Sequence, residues 1–391
     1  MTIEVDYRFP AGADAAKEAK VIAVGQTAGS WDERFSHRAE LLAQHLGRVV
    51  CVTPQPDGTS IATVEFPEHN VEGDVPTLLT MIFGKYSMGG SGRVDAVRLP
   101  EDYGTPPKFG LAGIRRILGV PERPLVMAIF KPALGLSAED HAAILREVAF
   151  AGLDIIKDDE ILGDLPSAPT MERLRACRRV LDEVEKSTGR RVLYCTNLTG
   201  RGHELSEKAR AMVAAGANAL LLNVLSYGYG TAEALARDPQ VGVPIFAHPA
   251  LAGAFAASPD FGISYPVVLG TLMAHAGVDA VLYPAHYGSL PFTAANEFAI
   301  RDALRARGLA CVPSAGIHPG VVPRVLGDYG NDVVLNAGSG IMDHPDGAAA
   351  GVQAFFDALA VAKPGVPFTQ VDVPPTGPLR SAMLKWGLGK K

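Results

Sequence analysis

Cysteine is scarce. Four residues, Cys51, Cys177, Cys195 and Cys311, stand far apart in 391, and none forms a CxxC pair. A disulfide framework and a cysteine zinc site are both excluded, leaving reduced thiols in or near a core. No apolar run approaches the ~20 residues that a membrane-spanning helix needs. The opening "MTIEVDYRFP" has no basic stretch followed by an apolar one, so no signal peptide is expected. No lysine- or arginine-rich run occurs and the formal net charge is −6, which argues against nucleic acid and anionic membrane as partners. A cytoplasmic, soluble protein is expected.

What is present is apolar residue in quantity, 48% of the chain, enough for a sizeable core. Over residues 1–110 the pattern reads as a small α+β unit. "IEVDYRF" alternates as a strand, and "RVVCVTP" and "SIATVEFPE" are strands joined across "QPDG". "AAKEAKVIAVGQ" and "DVPTLLTMIFGKY" are helical, and "GRVDAVRLP" is a further strand. The order βαββαβ predicts a ferredoxin-like sandwich. Over residues 111–391 eight short apolar runs alternate with amphipathic helices: "PLVMAIFK", "LDIIKDDE", "RVLYCTN", "ALLLNV", "VPIFAHP", "AVLYPAH", "ACVPSAG" and "DVVLNAGSG". Continuously apolar strands between helices mean a parallel sheet covered on both faces. Eight such units predict an α/β fold of the (β/α)₈ TIM-barrel type.

Active sites of such barrels lie at the C-terminal strand ends. The runs end on Lys131, Lys157–Glu160, Asn197, Asn223, His248, His286, Ser314 and Gly338–Gly340. The second is the most unusual, a buried-looking strand that stops on Lys-Asp-Asp-Glu. Strand alternation puts Lys157 and Asp159 on one face, Glu160 can join them where the chain bends, and Asp158 points to the surrounding helices. Asp159 and Glu160 are hard oxygen ligands suited to Mg²⁺. An ammonium cannot ligate a metal, so Lys157 either balances the acids or is converted to a carbamate by CO₂. "SAGIHPG" and "NAGSG", after strands 7 and 8, offer Ser314, Gly316, Gly338, Ser339 and Gly340 as an anion grip.

"GLDIIKDDE" resembles the metal-site motif of the RuBisCO superfamily. "FKPALGLS" (130–137) is similar to that family's strand-1 motif with its catalytic lysine, here Lys131. "SAGIHPG" and "GSGIMDHP" are similar to its phosphate loops. The likeness runs through nearly the whole chain in the family's order. It implies Mg²⁺ held by carbamylated Lys157, Asp159 and Glu160. It also implies a homodimer in which the small domain of one subunit packs on the partner's barrel, so that the active site is shared. The departures matter. True carboxylases carry a lysine in the loop after strand 6, and "YPAHYGSLPF" (283–292) has none; Ala133 and His248-Pro249 replace further family residues. The resemblance is therefore to the RuBisCO-like proteins, form IV, which enolise without fixing CO₂.

Within that group the resemblance implies a lyase or isomerase acting on a small phosphorylated keto-sugar-type substrate through a metal-stabilised enolate. "KPALGLS" departs from the methionine-salvage enolase pattern. This favours a decarboxylase or C–C hydrolase of 3-oxo-isoapionate 4-phosphate, with the 2,3-diketo-5-methylthiopentyl-1-phosphate enolase as the alternative. "IFGKYS" (82–87) is similar to the segment where that enolase holds its proton-abstracting lysine, implying Lys85 as base. Lys131 would polarise a metal-bound oxygen, while His248 and Asn197 would meet the substrate. His286 and His318 read as hydrogen-bonded loop histidines and His344 as a brace. A regulatory paralogue without turnover is the reading from another class; the retention of Lys157, Asp159 and Glu160 speaks against it.

Overall fold

A computed structural model describes residues 2–30, 33–369 and 371–389. The small unit comprises β1 (Thr2–Phe9), β2 (Arg48–Pro54), β3 (Ser60–Pro67) and β4 (Arg93–Arg98), with a helix over Ala15–Gly25 and a helical run from Val75 to Gly84. β1 buries Ile3, Val5, Tyr7 and Phe9 and turns Glu4, Asp6 and Arg8 outward, the period-2 pattern of a one-sided sheet. On the outer face Arg98 bridges Glu4 (2.7 Å) and Asp6 (2.7 and 2.8 Å). The strands run antiparallel in the order β4–β1–β3–β2, which is the ferredoxin-like arrangement that the sequence predicts.

The larger sheet holds β5 (Leu125–Ile129), β6 (Ile155–Lys157), β7 (Leu193–Asn197), β8 (Ala219–Leu222) and β9 (Ile245–Ala247). The two-residue β10 (Gly262–Ile263) then leaves the barrel and pairs in parallel with β4, extending the small sheet. β11 (Ala280–Pro284), β12 (Ala310–Ser314) and β13 (Val334–Ala337) complete the barrel. Its eight strands are parallel, in the order β12–β11–β9–β8–β7–β6–β5–β13. At the seam the Asn336 side-chain amide donates to Ser314 Oγ at 2.8 Å. β10 was not foreseen, because two residues carry no periodic signal.

Alternate strand residues fill the barrel: Leu125, Met127, Leu193, Leu221, Phe246 and Leu282 lie in one apolar cluster. Ile114 and Leu118 join it from the helix Gly110–Leu118. Three cysteines are buried and all four are free, but Cys51 is exposed on β2 rather than near a core. That strand is poorly covered, with most of its residues open. No helix among the described residues is long and apolar enough to cross a membrane.

Two histidines outside the strand-end acids, buried His275 and half-buried His318, give the fold an acid sensitivity. Burial pushes His275 and His318 down to about 4. The unfolded chain then binds more protons than the folded one between the ordinary histidine value near 6.5 and 4, so stability falls as pH drops through that window. Each histidine should cost about 2 kcal/mol on going from pH 7 to pH 5. In a pair of thermal melts at these two pH values, His275→Gln should show the smaller loss. An unchanged loss would remove His275 from the account.

Candidate active site

The end of β6 divides its charges as strand alternation requires. Asp158 turns outward into a fully buried network. Arg173, from the helix Thr170–Thr188, approaches it with Nη2 at 3.0 Å, Tyr194 donates its hydroxyl at 2.7 Å, and the Asn197 N–H donates at 2.9 Å. Arg173 also donates to the Ala168 carbonyl at 2.5 Å. Burial works against the Arg173 charge, but the Asp158 carboxylate beside it raises its proton affinity overall. Removed from water on all sides, the pair fixes the strand end geometrically.

Lys157 and Asp159 face the other way. Lys157 is 1% exposed; its Nζ donates to the Asp158 carbonyl at 3.0 Å and lies 3.4 Å from Glu160 Oε2. Burial holds its amine below the usual lysine range, against the pull of Glu160 and Asp159. Lys131, just past β5, donates to Asp159 Oδ2 at 2.7 Å. His248, just past β9, sets Nε2 3.3 Å from Glu160 Oε2, and its Nδ1 accepts from the Ala250 N–H at 3.2 Å. Burial, with Lys157 nearby, pushes His248 down to about 3, so its imidazole is neutral at physiological pH.

The acidic loop is clamped from two strands. The Asn197 amide donates to the Glu160 and Leu162 carbonyls at 3.0 and 3.1 Å, and the Asn223 amide to the Glu160 carbonyl at 3.0 Å. Asn197 is fully buried, so the structure sets its amide on this loop, where the sequence suggested substrate. Among the described residues no trio of His, Cys, Asp or Glu is arranged to hold a metal. The donor set still suits a hard cation. Asp159 and Glu160 are oxygen donors, an ammonium already sits on Asp159, and the nearby buried amine has the lowered proton affinity that reaction with CO₂ requires.

The glycine loops border the same mouth. A Cβ on Gly338 would lie 3.7 Å from Lys131 Cε. Gly316 has φ +114°, and a side chain there would strike Gly288; one on Gly340 would run into the Ile317 carbonyl. Ser339 is exposed. Ser314 Oγ donates to the Val312 carbonyl at 2.9 Å as well as accepting from Asn336. His344 braces its loop, with Nε2 on the Pro378 carbonyl at 2.9 Å, and His318 stacks on Trp386. His286 bonds Glu297.

Lys85 stands apart. It is exposed on the small domain and lines a groove of about 740 Å³ with Lys17 and Lys20 of the helix Ala15–Gly25. No contact joins it to Lys131 or Lys157 among the described residues. Sequence reasoning passed over Arg173, Tyr194 and Glu297, which are distant in sequence from what they hold. Asn223 was legible as a polar strand end.

The catalytic-domain model of the ribulose bisphosphate carboxylase large chain matches residues 110–307. A Microcystis aeruginosa protein named 2,3-diketo-5-methylthiopentyl-1-phosphate enolase is 64% identical over 387 residues, covering 99% of this chain and 100% of that one. A Bacillus licheniformis protein of the same name is 42% identical over 390 residues, covering 96% of this chain and 95% of that one. The solved structure of a rubisco-like protein (MtnW) from Alicyclobacillus acidocaldarius superposes with a TM-score of 0.90 at 41% identity, covering 99% of each chain. With identity at this level over the full length, and with no lysine in the loop after the sixth barrel strand, the chain belongs to the RuBisCO-like proteins of the RuBisCO large-chain family.

Proposed function

We propose that the chain is a Mg²⁺-dependent enolase of 2,3-diketo-5-methylthiopentyl 1-phosphate. The full-length 64% identity to a protein of that name carries this reading. It outweighs the departure at "KPALGLS"; the decarboxylase or hydrolase of 3-oxo-isoapionate 4-phosphate gains no support from these relatives.

The substrate phosphate would lie on the loops at 314–316 and 338–340, with the diketone toward the carboxylates. CO₂ would add to Lys157 Nζ, an N–C bond forming as the amine gives up its protons to solvent, to give a third carboxylate. That carbamate, Asp159 and Glu160 would hold Mg²⁺, which when bound lowers the energy of an enolate by Lewis-acid stabilisation. Lys131 lies against Asp159 and would orient a ketone oxygen by hydrogen bonding. His248, neutral and packed on Glu160, would present no charge to repel the cation. Proton removal beside the ketone falls to Lys85. Because Lys85 sits away from the Lys157 mouth of its own chain, a second copy would supply it in a homodimer with shared sites.

The test offers the purified protein both candidate substrates with Mg²⁺ and bicarbonate. Enolisation of the diketo phosphate, seen as absorbance growth and solvent deuterium incorporation, is expected, with no CO₂ release from 3-oxo-isoapionate 4-phosphate. The reverse pattern would sink the assignment.

A further inference from the structure

Behind the loop after β11 lies a buried carboxylate that the chemistry above does not use. Glu297 sits in the first turn of the helix Ala294–Ala306 and is fully buried. Its Oε2 accepts two hydrogen bonds from one residue, the main-chain N–H of His286 at 2.5 Å and the ring Nδ1 at 2.6 Å. Its Oε1 accepts the Tyr329 hydroxyl at 2.6 Å, and the Tyr283 hydroxyl donates in turn to Tyr329 at 3.2 Å. Every partner of Glu297 is thus a donor, which is the environment of a carboxylate and requires Nδ1 to carry hydrogen.

The opposite side of the ring is different. His286 Nε2 has no hydrogen bond among the described residues, and the side chain keeps 22% of its surface open. The ring sits between Tyr287 and Phe298, 4.6 and 5.6 Å away, which fixes its plane. His286 follows β11 at the C-terminal end of the barrel, beside the anion grip: the Ala285 N–H donates to the Ser314 carbonyl at 3.0 Å and the Ser289 N–H to the Ala315 carbonyl at 2.8 Å. The other charged groups around the dyad, Asp328, Arg301 and Arg324, belong to the surrounding helices. Among the described residues, neither Asp328 nor Arg301 makes a hydrogen bond to the ring.

We infer that Glu297 is a positioning residue: it holds the proton of His286 on Nδ1 and the ring in one plane, so that the Nε2 lone pair faces the substrate mouth and accepts from the hydroxyl that enolisation creates. A histidine tautomer is set by the hydrogen bond that the other nitrogen makes. An imidazole with Nδ1 anchored on a buried carboxylate presents one atom, Nε2, in one direction. Without the anchor the ring would populate both tautomers and several orientations, and the accepting Nε2 would rarely be in place. This rests on the enolase reading and adds to it a substrate contact from the loop that in carboxylases carries a lysine.

The test combines nitrogen NMR of histidine-labelled full-length protein with steady-state kinetics on the diketo methylthio phosphate. Wild-type His286 should show the Nδ1–H tautomer. Glu297→Gln should admit the Nε2–H tautomer and lower kcat/KM about 10- to 100-fold. His286→Gln should lower it at least as much, and Glu297→Gln added to it should do little more, because the carboxylate acts through the ring. The proposal is overturned by an Nε2–H tautomer in the wild type, by unchanged kinetics in Glu297→Gln, or by additive losses in the double variant. The wild-type tautomer is read without substrate, so it decides the point even if the variants fold poorly. Wild-type protein that leaves the diketo phosphate unchanged defeats the enolase reading first, before any variant is compared, and this proposal with it.

Discussion

Lys157→Met should lose CO₂-dependent Mg²⁺ binding and about a thousandfold or more of enolisation, while its thermal stability stays level or rises. The two halves of this expectation have separate physical origins. Methionine has nearly the length of lysine but no amine, so no carbamate can form, and Asp159 and Glu160 are left as the two proposed metal donors. An enolate stabilised by several kcal/mol less is slower by roughly tenfold for each 1.4 kcal/mol. Stability moves the other way because Lys157 is buried against its own interest. Desolvation is the largest influence on its amine, and its charge is met by one carbonyl at 3.0 Å and one carboxylate at 3.4 Å. A volume-conserving apolar side chain removes that cost. Calorimetric Mg²⁺ titrations with and without bicarbonate read the first half, and thermal melts the second. Retention of bicarbonate-dependent binding in Lys157→Met would refute the carbamate.

The same residues show what the sequence could convey. The division of Lys157 and Asp159 from Asp158 was legible because strand alternation is local and exact in period. The eight barrel strands were legible because a sheet covered on both faces needs continuous apolar runs, and the order of the small sheet followed from its βαββαβ succession. The partners of Asp158 were not. Arg173 lies on the next helix and reads there as one of several arginines in "MERLRACRRVLDEVEKSTG"; only the fold shows that it points inward. Glu297 likewise resembles an ordinary first-turn acid of a helix, a position favoured by the helix dipole alone. Its burial beneath His286 is a tertiary fact. Asn197 was legible as a polar strand end, but whether its amide meets substrate or main chain depends on where the Glu160 loop passes. Choosing between two phosphorylated substrates from "KPALGLS" weighted one local departure above the rest of the chain, and the full-length identity to named enolases points the other way.

Arg173→Met should be the most destabilising single change at this strand end, about 3–5 kcal/mol, since it strands a carboxylate in a site with no water. Tyr194 and the Asn197 N–H would still donate to Asp158, at 2.7 and 2.9 Å, but two neutral donors do not balance a fully buried charge. Asp158→Asn in the Arg173→Met background should therefore recover most of the loss. The amide oxygen accepts from the Asn197 N–H, the amide NH₂ donates to the Tyr194 hydroxyl, which turns to accept, and the uncompensated charge is gone. Denaturant midpoints of the wild type, both single variants and the double variant form a cycle whose interaction energy isolates the pair. An additive double variant would mean that Arg173 acts by packing alone. The cycle also carries a functional reading. Asp158 lies between Lys157 and Asp159, and its anchoring on the helix Thr170–Thr188 is what aims those two side chains into the barrel. Mg²⁺ affinity in the presence of bicarbonate should therefore fall in Arg173→Met and return in the double variant, although neither substitution touches a group proposed to bind the metal. Recovery of stability without recovery of affinity would show that the charge itself, and not the placement of the strand end, is what the site requires of Asp158.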